Sequence, residues 1–148
     1  MREPRFRAWI ERYHKYMPVA MIHFEPILGK IDYIEVVATG GDWAKFYPEE
    51  FILEQYTGLR DKNGKEICVG DVVRIDSIDE LRVGYVDLVN DQYCIVCGED
   101  DEGHKIVAEF YYYSKPEENC EVISNIHEDP ELLEEKKNDT GRRNRQPT

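Results

Sequence analysis

From Val19 onward, short β-branched and aromatic runs alternate with Gly, Asp, Asn and Pro. MIHF, IDYIEVVA, FILEQYT, DVVRID, LRVGYVDLV, QYCIVC, KIVAEFYYY and CEVISNI read as strands. Their spacing, with a turn signal every several residues, suits a small barrel or meander better than alternating β-α units. The first segment is ambiguous. Phe6, Trp9, Ile10, Tyr13 and Met17 fall at helical spacing, yet the same residues also read as a hairpin of FRAW and YMPVAM. Near the end, Asp129-Pro130 before ELLEEKK carries a capping acid, a proline at the first helical position and basic residues in the last turn, which predicts a short C-terminal helix. Beyond residue 137, NDTGRRNRQPT has no large apolar side chain, which predicts one domain over 1–137 and a disordered basic tail over 138–148.

The most organised stretch is QYTGLRDKNGKEICVGD, residues 55–71. Asp61-Lys62-Asn63-Gly64 between Leu59 and Ile67 reads as a tight reversal, and Gly70-Asp71 as a second corner before the strand of Val72, Val73 and Ile75. A phosphate loop needs Gly-x4-Gly-Lys-Ser/Thr, and that spacing is absent. A calcium loop needs glutamate at its twelfth position, which counted from Asp61 is Val72. The stretch is therefore a corner and not a ligand loop.

Three motifs in order resemble the YopX family of bacteriophage and prophage proteins. The central one is Gln55-Tyr56-Thr57-Gly58-Leu59, Asp61 to Ile67 and Gly70-Asp71. Arg2-Glu3 with Phe6-Arg7-Ala8-Trp9 resembles the N-terminal signature. Glu121-Val122-Ile123, Asn125-Ile126 and Glu128 to Leu133 resemble the C-terminal one. Three positions depart from the family pattern: Cys68 stands for an aromatic, Ser124 for glycine and His127 for tyrosine. The first argues against Cys68 as an essential ligand or nucleophile. The resemblance implies a mostly β fold (α+β at most) holding an SH3-like barrel, with the first segment as strands rather than a helix. It implies no reaction, cofactor or catalytic residue, and it places the gene in a phage or prophage.

Charge narrows the partners. Against 19 Lys/Arg stand 31 Asp/Glu, a net −12. Residues 1–16 carry +3, residues 136–148 carry +4, and the stretch between, with nine basic and 28 acidic residues, carries −19. So acidic a body repels the phosphate backbone that supplies most nucleic-acid affinity, so no direct nucleic-acid partner is expected. No apolar run reaches membrane-helix length. The opening MREPRFRAWIERYH lacks the apolar core of a signal peptide, which predicts the cytoplasm, and the family resemblance implies that of a bacterial host. Four cysteines there fit reduced thiols.

Chemistry-bearing residues are few. Cys94-x-x-Cys97-Gly98 looks like half a zinc knuckle, but Cys68 and Cys120 lie 26 and 23 residues away and make no second close Cys-x-x-Cys spacing, and residues 94 and 97 point to opposite faces of a strand. His104 and His127 complete a site only on paper, so no metal is expected. Glu99 to Glu102 reads as a solvated hairpin tip. Ser77, Ser114 and Ser124 lie in no nucleophile elbow. No catalytic residue, cofactor or small-molecule ligand is identified, and a small metal-dependent hydrolase is the weakest reading.

KIVAEFYYYSK is the stronger lead. On a strand, Val107, Glu109, Tyr111 and Tyr113 share one face and Ile106, Ala108, Phe110 and Tyr112 the other. Aromatics on both faces mean either double burial or a partner against the tyrosine face, with Tyr111, Tyr113 and Glu109 as partner-binding candidates. Two functions follow: a non-enzymatic accessory protein acting on a protein partner or as a homo-oligomer, or an acidic decoy that mimics DNA towards a host protein.

Overall fold

The computed structural model describes residues 5–76, 81–109 (side chains as far as 106) and 115–133. The chain forms two compact units, Met1–Tyr56 and Thr57–Thr148. Both are built of antiparallel sheet, and among the described residues neither sheet closes into a barrel. No helix among them is long and apolar enough to cross a membrane.

In the first unit, β1 (Phe6–Ile10), β2 (Lys15–Phe24), β3 (Ile31–Val37), β4 (Trp43–Phe46) and β5 (Phe51–Arg60) lie in the order β4-β3-β2-β1-β5. The opening segment is thus a hairpin and not a helix. Its reversal is a 3-10 turn, Glu11–Tyr13, closed by His14 in the left-handed region (φ 51°), whose N–H reaches the Glu11 carbonyl at 3.1 Å. Pairing then runs from Ile10 opposite Lys15 to Arg7 opposite Pro18. As a central strand β1 is covered on both sides, which is why all of Arg7 to Ile10 is buried. Ala8 and Ile10 enter a core with Met17, Ile34, Val36 and Phe46. Alternation turns Arg7 and Trp9 to the opposite face.

In the second unit, residues 57–60 of β5 run beside β6 (Glu66–Cys68). The strands β7 (Asp71–Asp76), β8 (Leu81–Val89), β9 (Gln92–Glu99), β10 (Lys105–Glu109) and β11 (Cys120–Asn125) form the sheet β10-β9-β8-β7-β11. One helical turn, α1 (Pro116–Asn119), precedes β11. Asn90 and Asp91, both at positive φ (51° and 63°), make the two-residue turn from β8 to β9, a conformation these two side chains tolerate. Ile67, Val73, Val86, Ile95 and Cys120 form the core. Gly84 is required by packing, since a Cβ there would fall on the carbonyl oxygen of Val96 and within 2.6 Å of Ile95 Cγ2.

Two strands were not anticipated. WAKF (β4) and EIC (β6) are four and three residues long, too short to show an alternation. The expected helix after Pro130 is helical over 131–133; its remaining residues and the 138–148 tail lie outside the described part.

Candidate functional site

The residues 61–71 answer the question their pattern poses. The reversal is tied by Asp61 N–H to the Lys65 carbonyl (2.8 Å) and Gly64 N–H to the Asp61 carbonyl (3.0 Å), with Gly64 at φ 79°. Asp61 as a whole is only 3% exposed. Its Oδ1 accepts the N–H groups of Asn63 and Lys65, both at 2.9 Å, and its Oδ2 accepts that of Val122 at 3.0 Å. Burial works against the charge, but the backbone donors Val122, Lys65 and Asn63 and the Lys65 ammonium outweigh it, holding the carboxyl below its ordinary range. Lys62 N–H adds a bond to the Cys120 carbonyl (2.9 Å). At the second corner, buried Asp71 accepts Cys68 N–H at 2.8 Å, while Gly70 bonds Val86 and Ile126 through its backbone. Both carboxylates are acceptors for main-chain amides. The motif is a joint that pins β6 and β11 to β7.

Cys97 and Cys120 belong to the same core, but Cys94 does not join them. Ile95, Tyr93 and Cys97 face the second core, and alternation along β9 puts buried Cys94 on the other side. Burial, followed by the charges of Asp61 and Asp71, pushes the Cys120 thiol up to about 12, so it stays protonated. Among the described residues no group of three or more His, Cys, Asp or Glu is arranged to hold a metal ion. The acidic tip is a self-contained turn. Asp100 Oδ1 accepts the N–H groups of His104 (2.8 Å) and Glu102 (2.9 Å), and its Oδ2 lies 3.2 Å from His104 Nδ1. The bond from the His104 amide, against slight desolvation, leads the contacts that lower the Asp100 pKa. Of the proposed partner-binding residues, Glu109 ends β10 opposite Cys94, its side chain undescribed. Tyr111 and Tyr113 lie outside the described residues.

Two features of the first unit were missed from sequence. One is a buried polar triad. Arg7 Nε donates to Glu54 Oε1 (3.2 Å), Arg7 Nη2 to Tyr16 Oη (3.1 Å), and Tyr16 Oη to Glu54 Oε1 (2.7 Å). The guanidinium also lies 3.8 Å from the Tyr16 ring centre. The signal was the pairing of Arg7 opposite Glu54 across β1 and β5, which only register reveals.

The other is an exposed apolar surface. Of the large apolar side chains exposed among the described residues, nine lie in the first unit (Tyr13, Met21, Phe24, Ile27, Leu28, Val37, Trp43, Tyr47, Ile52) and four in the second (Leu81, Leu88, Ile106, Ile123). On the outer face of β2-β3-β4, Trp43 is 61% exposed and stands opposite Val37. His23 stacks on Tyr33 (4.6 Å), Tyr47 meets Tyr33 edge-on (6.5 Å), and Lys45 Nζ lies 4.1 Å from the Tyr33 ring centre. At the β2-β3 tip, the Glu25 carboxylate accepts the N–H groups of Ile27 and Leu28, both at 2.8 Å, so a clamped loop presents two side chains that are 86% and 70% exposed.

Fold and surface define a two-unit antiparallel β protein, with most of the exposed large apolar side chains among the described residues on the first unit and most of the net negative charge on the second. The chain belongs to the YopX family, whose model, described as YopX protein, matches residues 5–134. Among solved structures it is similar to protein EF1440 from Enterococcus faecalis, with 21% identity and a TM-score of 0.56 over 90% of this chain and 99% of that one. At that identity the likeness is one of fold. No curated protein matches the chain significantly.

Proposed function

We propose that this chain is a non-enzymatic phage or prophage accessory protein of the bacterial cytoplasm that acts through protein-protein contacts made by its first unit. The observation that carries the reading is the division of surface character. The first unit, with seven basic and nine acidic residues, has a net charge of −2, and the second, with twelve and 22, has −10. Most of the exposed large apolar side chains among the described residues sit on the nearly neutral unit. Contact surfaces concentrate exposed aromatic and aliphatic anchors and are poor in charge at their centre. The order β11-β7-β8-β9-β10, in which a fifth strand returns beside the first, supports an SH3-like reading of the second unit. Tyr111, Tyr113 and Glu109 remain candidates for a further contact there.

Site-specific photocrosslinking in the bacterial host tests this. A crosslinker at Ile27, Val37 or Trp43 yields a discrete protein adduct, and one at Asp91 or Asp101 yields none. Adducts from the second unit alone would overturn the reading. The charge of −10 on the second unit favours the acidic decoy as the alternative. It predicts an adduct from Asp101 to a basic protein that disappears as salt is raised.

A further inference from the structure

We infer that the first unit pairs with a second copy of this chain through the β4 edge that no other described strand covers, in an antiparallel register centred on Ala44. The inference deepens the contact reading above and rests on it.

Among the described residues β4 has one strand neighbour, β3, and ends the sheet. The direction of its backbone groups follows from the ladder. Ala38 N–H bonds the Asp42 carbonyl at 2.7 Å, so Asp42 and Ala38 are an exchanging pair. Pairing continues through Trp43–Val37, Ala44–Val36, Lys45–Glu35 and Phe46–Ile34. Antiparallel ladders alternate, so Ala44 and Phe46 point their amides and carbonyls at β3, and Trp43 and Lys45 point theirs outward. Edges like this are usually guarded by a lysine projecting its charge. Here Lys45 instead lies across the sheet over Tyr33.

The occupant follows from charge and register. A second copy meets strong repulsion at the −10 unit and little at the −2 unit, so self-association falls to the first. With Ala44 opposite Ala44, each Trp43 faces the other copy's Lys45. Both pairs then have outward backbone groups, which gives four new ladder hydrogen bonds. On the exposed face each lysine sits between its own Tyr33 and the other copy's Trp43, a cation against two rings. Centring on Lys45 would oppose two ammonium groups. Centring on Trp43 would leave Lys45 opposite Gly41, beyond the strand. The Ala44 register makes a closed two-fold contact.

Sedimentation velocity of the full chain over a range of concentrations, with far-UV circular dichroism to confirm the fold, tests it. The wild type is expected to dimerise. Trp43→Lys, a change at an exposed side chain, places like charges opposite one another twice and weakens the dimer at least about a hundredfold. Adding Lys45→Glu to Trp43→Lys restores opposite charges across the two-fold and restores the dimer. A wild type that stays monomeric up to about 0.1 mM, where a contact with a Kd of about 10 μM would be mostly dimer, would overturn the self-pairing and leave the contact reading to photocrosslinking. A dimer that Trp43→Lys leaves intact, or a double variant that stays monomeric, would also overturn it.

Discussion

Asp61 allows the energetics of the corner to be tested one bond at a time. Asp61→Ala leaves the amides of Asn63, Lys65 and Val122 without their acceptor. Hydrogen bonds to a charged group contribute about 1.5–3 kcal/mol each. All three sites are part-buried, and water can reach the two turn amides more easily than the one in β11. The expected loss is therefore about 3 kcal/mol, and Asp61→Asn, which keeps one acceptor oxygen, should lose about half of that. Urea denaturation followed by far-UV circular dichroism measures it, because both tryptophans lie in the first unit. Amide exchange at Lys65 and Val122 should accelerate in parallel. The pH dependence has a definite sign. The folded carboxyl titrates below its ordinary 3.8, so its contribution is complete above that value and is lost as pH falls through the lower folded pKa. The gap between wild type and Asp61→Asn should be constant at neutral pH and close only below about pH 4. A loss under about 1 kcal/mol for Asp61→Ala, within the range of ordinary surface changes, would refute the corner as a structural joint.

Three further outcomes are expected. Glu54→Ala removes the carboxylate that accepts from both Arg7 Nε and Tyr16 Oη and, as the loss of one partner of a buried ion pair, should cost about 3 kcal/mol, read from tryptophan fluorescence in a urea titration. Gly84→Ala drives a methyl against the Val96 carbonyl and should destabilise by about 1–3 kcal/mol. Its midpoint should drop, and an unchanged midpoint would contradict the packing. Native-state alkylation followed by mass spectrometry should label half-buried Cys97 before Cys120, whose buried thiol titrates only at about 12.

The local chemistry of the chain was legible where it sat within a few residues. The Asp61-Gly64 reversal, the Gly70-Asp71 corner and the long alternating strands all show in the text, because turn residues and period-two patterns are local signals. The opening hairpin was not legible from pattern. Phe6, Trp9, Ile10, Tyr13 and Met17 suit either period, and the hairpin followed only from the family resemblance. Register is the information sequence withholds. Arg7 and Glu54 each look like ordinary surface charges, and only their pairing across β1 and β5 makes them a buried triad. Trp43 sits in a four-residue strand after Gly-Gly-Asp, too short for alternation to assign it a face. The tyrosine face of KIVAEFYYYSK lies outside the described residues, so the exposed surface of the first unit now carries the contact reading.

Residue-resolved amide exchange by NMR at low and high protein concentration tests the contact surface most directly. Pairing at the β4 edge predicts that exchange at Trp43 and Lys45 slows as concentration rises, while Ala44, already bonded to β3, keeps one rate throughout. Exchange at Trp43 and Lys45 that does not slow as concentration rises would contradict it.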